Sequence, residues 1–246
     1  IKNYGGTVLI FLAVFMAYKI ATDMQYLDRY LYPQVGTIVE SFRTSWPDML
    51  QNLKASFGLL IPGMTSGVLI ALAIGIPMGL SLKLRKTIYP IVYSVSMIPV
   101  VLLSPFAIHM APTLRAASMF LVIWGTLWAM LFATINGIMT IDKRYLDNAT
   151  TLELTGLKRL VKIVLPAALP SMAGGFVSSV RSAFLSLVFA EMYGTKLGLG
   201  YFVKANSDLG RFENVWSGFL FMAFVMVIVM QLVEIVKNRL LHWTID

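Results

Sequence analysis

The sequence of 246 residues contains no cysteine and only two histidines, His109 and His242. The lack of cysteine excludes disulfides, thiolate metal sites and cysteine nucleophiles, and two distant histidines are too few for a multi-histidine metal site. Charged residues are also scarce, because they make up 13% of the chain against roughly 25% in soluble domains. So little charge cannot cover a soluble fold with polar surface. We therefore expect an integral membrane protein without a metal site.

Apolar residues and positive charge are what the chain has in excess. Hydrophobic residues make up 58% of the sequence, and the formal net charge is +8. In a soluble protein this charge would indicate a nucleic-acid partner, but in a membrane protein it is typical of the cytoplasmic ends of spans. We therefore predict a lipid environment and no nucleic acid.

Long stretches with few charges predict the membrane-spanning helices. A span needs about 20 mainly apolar residues, because the hydrocarbon core is roughly 30 Å thick and each helical residue rises about 1.5 Å. The predicted fold is an all-α integral membrane protein, one domain over 1–246 with six transmembrane helices. The predicted spans are 3–21, 55–82, 87–112, 116–141, 166–191 and 214–236.

Basic residues beside the spans predict their direction. Clusters at 83–86, 143–162 and 237–239 lie on one side, whereas basic residues on the other side are mixed with acidic ones. Because cytoplasmic flanks are rich in Lys and Arg, we place both termini and residues 143–165 in the cytoplasm, in a bacterial plasma (inner) membrane. No small-residue cleavage pattern follows the first span, which favours a retained anchor over a signal peptide. Since the sequence begins with Ile1 and not methionine, we also expect further residues before it.

Two glycine motifs in the second span bear on helix packing. Gly63-x-x-x-Gly67 and Gly75-x-x-x-Gly79 place small residues one above another, which allows a neighbouring backbone to approach closely. Glycine is also simply common in membrane helices, so both interpretations stay open.

Prolines interrupt the third predicted span. Proline removes a backbone donor and clashes with the preceding turn, so this helix should be bent or broken. A broken helix can line a transport pathway, where freed carbonyls meet water or cargo. On this interpretation Met97 and Pro99 are candidates for the translocation path. The prolines are Pro90, Pro99, Pro105 and Pro112.

Residues 143–165, between the fourth and fifth predicted spans, are too charged to cross a membrane, yet their apolar residues recur at helical spacing. A break at Thr155 and Gly156 suggests two short helices joined by a turn. The segment is either an amphipathic helix lying on the membrane surface or a docking element for another protein.

Residues 147–166 resemble the cytoplasmic coupling loop of ABC-transporter permeases, whose pattern is Glu-Ala-Ala, three residues, Gly, nine residues and Ile-x-Leu-Pro. Two positions depart from it, because Asn148 replaces the first Ala and Glu153 the Gly. The nearest glycine, Gly156, comes three residues later, so we expect the turn to be displaced. We call 143–165 the coupling segment. The resemblance implies that the ATPase-coupling residues are Asp147, Asn148, Ala149, Leu152, Glu153, Gly156, Ile163, Leu165 and Pro166.

The resemblance extends from about Trp46 onward. Ala190-Glu191 followed by Gly198-Leu-Gly200 is similar to the permeases for nitrate, sulfonate, taurine and bicarbonate, although His-Met-Ala-Pro-Thr at 109–113 replaces the Trp-Phe-Gly turn frequent there. It implies a type I importer permease that works as a homodimer with two ATP-binding subunits and an external binding protein. The sequence has no Gly-x4-Gly-Lys-Ser/Thr phosphate loop. We therefore expect no cofactor on this chain, and ATP and magnesium on the partner ATPase.

Arg181 lies near the middle of the fifth predicted span. A cation there costs roughly 2.5–3.5 kcal/mol, so it should face a partner or a watery cavity. A guanidinium beside hydroxyl groups suits an oxyanion. Alternatively, Arg181 satisfies backbone carbonyls at a subunit interface. Glu191, at the outer end, fits a gate or a structural hydrogen bond better than acid–base chemistry. The hydroxyl residues near Arg181 are Ser178, Ser182 and Ser186.

The function predicted from these features is import of a small anion by an ABC permease that is not itself an enzyme. A permease for a vitamin precursor, of pyrimidine or flavin type, is an alternative within the family. A secondary transporter or channel is an alternative outside it. No span carries a histidine–aspartate or paired-carboxylate constellation, which disfavours an intramembrane enzyme.

Overall fold

The computed structural model describes residues 4–242, and the predictions that concern the two termini and the residues before Ile1 lie outside this range. The described chain is helical, without strands, which confirms the all-α class. Its helices are α1 Tyr4–Asp23, α2 Val35–Thr44, α3 Trp46–Leu80, α4 Leu82–Ser96, α5 Val100–Met110, α6 Leu114–Met139, α7 Lys143–Thr151, α8 Gly156–Arg159, α9 Leu165–Gly194, α10 Leu199–Asp208 and α11 Phe212–Leu240, with a π-helical segment at Leu160–Val164.

Within residues 4–242, five helical stretches are long and apolar enough to cross a membrane, and the α4–α5 pair makes a sixth span if it is counted as one. The two helices of this pair meet at 89°, which confirms the predicted break. Pro99 stands between them and has no N–H to continue the first helix. The carbonyl of Ile98, beside the break, accepts a hydrogen bond from the Trp124 indole at 3.2 Å.

The centre of the molecule is α6, which packs between α3 and α9. Small residues of α3 recur every four positions along this contact. A Cβ added at Gly67 would lie 2.8 Å from the Thr126 Cβ, and one added at Gly79 would lie 2.8 Å from the Ile138 Cβ. Since such distances are too short for real Cβ contacts, the Gly-x-x-x-Gly motifs do bring two backbones together, as the packing interpretation predicted.

The contact between α6 and α9 is built in the same way, with small residues contributed by both helices. A Cβ on Gly175 of α9 would lie 2.1 Å from the Ala133 Cβ of α6. In the other direction, Gly125 of α6 accommodates Ser186 of α9. The backbone of α6 is thereby in close contact with the backbones of α3 and α9, and the remaining spans pack around these three helices.

Helix α1 is the exception, because only 6% of its spanning window is buried. Its apolar side chains, such as Phe11 at 72% exposure, point away from the rest of the chain. Near its C-terminal end the Tyr18 hydroxyl donates to the Pro33 carbonyl at 2.8 Å and the Tyr18 ring packs on Trp216. This helix offers nearly all its surface to lipid or to another protein.

The close α3–α6 contact predicts a specific response to added volume. Gly67→Ala should lower the free energy of unfolding by about 1–3 kcal/mol, because its methyl group overpacks against Thr126. Gly58→Ala on the same helix is the matched control, since nothing lies within 4 Å of that position, and it should be neutral or stabilising by up to about 1 kcal/mol. Thermal unfolding of the purified protein in detergent compares the two, and equal effects would contradict this account of the packing.

Candidate functional site

The coupling segment begins at a local cap. The Asp142 carboxylate accepts from the Arg144 amide at 2.9 Å, which caps α7, and from the Arg144 guanidinium at 2.8 and 3.1 Å. The hydrogen bond from this guanidinium lowers the pKa of the Asp142 carboxyl below its ordinary value. The cap therefore stays ionised at neutral pH and fixes where α7 starts.

Helix α7 ends in a Schellman motif. The Leu154 amide donates to the Ala149 carbonyl at 2.9 Å, and the Glu153 amide donates to the Thr150 carbonyl at 3.0 Å. This motif needs a left-handed residue directly after the C-cap, and Glu153 adopts it, with φ +52°. Gly156 is left-handed as well, with φ +55°, and α8 begins there, so the predicted break at Thr155 and Gly156 is present and Glu153 adds another left-handed residue three positions before it. The hydrogen bonds fix the left-handed residue at the position where the family has glycine, although glutamate stands there.

Apolar side chains of the coupling segment are exposed on the surface of the chain. Leu152 is 65% exposed and Leu157 73%, beside the exposed Lys158. Ala149 is fully buried, and α7 packs against the π-helical segment. The remaining predicted coupling residues comprise the exposed Asp147, Asn148, Glu153, Gly156 and Pro166, and the half-buried Ile163 and Leu165. This arrangement suits a segment that rests on its own helices and presents an apolar surface to a partner.

The structure separates the predicted residues around Arg181. Arg181 and Ser178 are exposed on α9, and Ser182 is half-buried. Ser186 is buried and packs against Gly125 of α6, so it does not accompany the guanidinium. The reason is helical geometry, because each step of four residues rotates the side chain by about 40° around the axis. Within residues 4–242, Arg181 has no hydrogen-bond or ion-pair partner.

The broken span lies beside this helix. Met97 caps the end of α4 and is 61% exposed, and Pro99 at the start of α5 is exposed as well. Helix α5 packs against α9. This contact is made near the C-terminal end of α9, where Ala190 packs in a cluster with Ala107, and not at Arg181.

Glu191, near the end of α9, is 1% exposed, and its Oε2 accepts from the Gly200 amide at 2.8 Å. The predicted structural hydrogen bond is thus confirmed. Sequence reasoning missed two residues that act beside Glu191, Asn52 and Ser56 of α3. They accept hydrogen bonds from the amides of Gly198 and Leu199. The sequence did contain an indication of this role, because Asn52 and Ser56 are polar residues four positions apart beside an apolar stretch.

Comparison with known proteins agrees with this architecture. Residues 36–244 match the family of binding-protein-dependent transport system inner membrane components. The chain belongs to this family. It is a permease of the ABC type, a multi-pass membrane protein and not an enzyme, as the resemblance of the coupling segment predicted.

Individual relatives of this permease are named for anions. A Bacillus subtilis protein named as an aliphatic sulfonates transport permease, SsuC, is 26% identical over 246 residues, 98% of this chain and 89% of the relative. The nitrate import permease NrtB of Leptolyngbya laminosa is 23% identical over 76% of this chain and 67% of its own. The bicarbonate transport system permease CmpB of Synechococcus elongatus is 27% identical over 61% and 54%.

The left-handed conformation of Glu153 in the coupling segment yields a stability prediction. Glu153→Gly should stabilise the end of α7 by about 1 kcal/mol, because glycine avoids the steric cost of a left-handed L-residue. Hydrogen exchange at the Leu154 amide, which bonds the Ala149 carbonyl, should slow accordingly. Glu153→Ala removes the carboxylate and keeps the Cβ, so it should bring no such gain. An equal gain from alanine would attribute the effect to charge and not to backbone conformation.

Proposed function

We propose that this permease imports a small anion, such as a sulfonate, nitrate, bicarbonate or organic carboxylate, delivered by an external binding protein. The observation that carries the proposal is Arg181, a cation near the middle of a spanning helix that has no partner among the described residues. An unpaired guanidinium at that depth is costly, and a transported oxyanion would compensate it. The substrate names of the three relatives point to the same chemical class.

A separate ATPase subunit docks on the coupling segment in this proposal. The exposed apolar side chains of Leu152 and Leu157 supply the contact area, and the exposed cations near them supply polar contacts. ATP and magnesium are then held by that subunit. Docking inside the cell requires the orientation predicted from the basic clusters, with both termini and the coupling segment in the cytoplasm of a bacterial cell.

A second copy of the permease completes the path in this proposal. Arg181, Ser178 and Met97 are exposed on a single chain, where they would meet lipid if the chain acted alone. Pairing two copies through this region would enclose them in a shared cavity. Nucleotide-driven closure of two ATPase subunits would then switch the pair between inward-facing and outward-facing states by rigid-body movement.

Reconstitution tests the function directly. The permease, its ATPase and its binding protein are placed in liposomes, and ATP hydrolysis is measured with each candidate ligand. Stimulation by an oxyanion is the expected result. Stimulation by a pyrimidine or flavin compound instead would move the assignment to a vitamin-precursor permease, and uptake without any ATPase would indicate a secondary transporter.

Leu152 gives a prediction for the ATPase contact. Leu152→Ser should weaken ATPase binding and ATP-driven uptake about tenfold, because most of the apolar area of Leu152 is free to be buried by the partner. Leu209→Ser is the matched control, since Leu209 is 66% exposed on another part of the chain. Co-purification of the ATPase with each variant makes the comparison. Loss of binding in the control alone would place the docking surface elsewhere.

Arg181 gives a prediction for the anion path. Arg181→Ala should lower uptake about tenfold or more, because charge-assisted hydrogen bonds to the anion are lost. Arg181→Lys keeps the charge without the planar fork and should retain part of the activity. Arg239→Ala removes an exposed cation from the end of α11 and serves as control. Normal uptake by Arg181→Ala would remove this residue from the path.

A further inference from the structure

The start of α10 is held by side chains from two spanning helices. A helix leaves its first amides without intrahelical partners, and here the N-cap residue Gly198 has no side chain to supply one. The Gly198 amide donates to Asn52 Oδ1 at 2.8 Å, and the Leu199 amide donates to Ser56 Oγ at 2.9 Å. The Gly200 amide donates to Glu191 Oε2 at 2.8 Å. We call these three acceptors, Asn52, Ser56 and Glu191, the α10 latch.

The fit between Glu191 and the start of α10 leaves no room for a side chain. Gly198 adopts φ +133°, and a Cβ there would lie 2.3 Å from the Glu191 Cδ. A Cβ on Gly200 would lie 2.7 Å from the Val188 carbonyl oxygen. Both glycines are therefore needed for α10 to sit directly on the carboxylate. The chain places Glu191 against the positive end of α10, where an acidic side chain is favoured.

A contribution to stability does not by itself explain why a carboxyl group is buried at position 191. Glu191 is buried, and within the described range its Oε1 has no hydrogen-bond partner. Desolvation of this carboxyl group, with one oxygen unpaired, offsets part of what its hydrogen bond to the Gly200 amide contributes to stability. Its geometry instead determines where α10 begins relative to α9 and α3.

The far end of α10 is attached to other helices. Asn206 Oδ1 accepts from Asn214 of α11 at 2.9 Å, and Asn214 Oδ1 accepts from the Ser41 hydroxyl of α2 at 2.6 Å. Helix α10 is joined to α9 by the short connection at 195–198, by the packing of Gly200 against Val188 and by the Glu191 hydrogen bond, while its other end is tied to α11 and α2. The other end of α9 continues directly into the π-helical segment and α8, which form the C-terminal part of the coupling segment.

We propose that Glu191 is a positioning residue that makes α10 move with α9. Through it, displacement of the coupling segment by the ATPase reaches the opposite end of the permease and repositions α10 there. This inference rests on the proposed function for the source of the movement. The latch itself is independent of any ATPase.

Hydrogen exchange tests the latch in the full-length permease. Glu191→Ala should speed exchange of the amides at 198–200 about tenfold or more, since the Gly200 amide loses its acceptor, and Glu191→Gln should have a smaller effect because it keeps an oxygen. Ser179→Ala is the control, because Ser179 is buried on the same helix and its hydroxyl has no partner among the described residues. Unchanged exchange in Glu191→Ala overturns the latch. If that variant does not fold, Asn52→Ala provides the same test at the Gly198 amide.

Reconstitution with the ATPase and binding protein tests the positioning role. The amount of anion imported per ATP hydrolysed should fall several-fold in Glu191→Ala and recover partly in Glu191→Gln, while Ser179→Ala matches the unaltered chain. A merely structural role would lower the amount of assembled complex without changing this ratio. An unchanged ratio with an opened latch overturns the positioning role. Absence of ATP-driven uptake by the unaltered chain would instead count against the proposed function, and the exchange result would still decide the latch.

Discussion

Close backbone contact between α3 and α6 is the constraint on which the rest of the molecule depends. Lipid is as apolar as leucine, so helices in a membrane gain little from burying hydrophobic surface against one another, and packing at short range must supply the attraction. Gly63, Gly67, Gly75 and Gly79 provide that range along one face of α3. Since α6 uses its other face for α9, the three-helix centre leaves α1, α4 and α5 at the periphery, where Met97 and Pro99 are exposed.

Polar groups hold the two regions of the molecule together in different ways. Along the glycine face, the hydroxyls of Thr126 and Thr134 return to carbonyls of their own helix at 2.7 and 2.8 Å, so they contribute packing surface and no interhelical hydrogen bond. Around α10, by contrast, Asn52, Ser56 and Glu191 bond between helices. The glycine face between α3 and α6 is joined by shape, whereas the region of α10 is joined by directional bonds that specify one arrangement.

The sequence alone predicts those features that depend on local pattern. Apolar stretches locate the spans, and the prolines near Pro99 indicate the break, because both effects act within a few residues. Helix α3 begins at Trp46, before the apolar stretch that starts near Ala55, since a helix can extend beyond the hydrocarbon while a hydropathy pattern cannot show it. The side-chain face occupied by Ser186 depends on which helix packs where, and the pattern of serines contains no such information.

Contacts between residues far apart in the sequence explain the remaining differences between the sequence-based prediction and the structure. Asn52 meets Gly198 across 146 positions of sequence, a distance at which no spacing rule applies. Glu153 shows the opposite case, because its turn is local and yet a glutamate gives no sign of a left-handed conformation. The glycine at Gly156 does adopt that conformation, but the hydrogen bonds at the end of α7 require another left-handed residue at position 153 and accept a glutamate there.

The π-helical segment at Leu160–Val164 determines the direction in which α8 leaves α9. The Leu165 amide donates to the Leu160 carbonyl, one residue farther back than in an α-helix, just before Pro166, which has no amide to donate. The helical conformation therefore continues through Pro166 into α9. Each residue of an α-helix turns the chain by about 100°, so one residue fewer here would rotate α8 by about that angle relative to α9. The side of the molecule on which the exposed Leu152 and Leu157 lie is therefore determined by the register of a single turn.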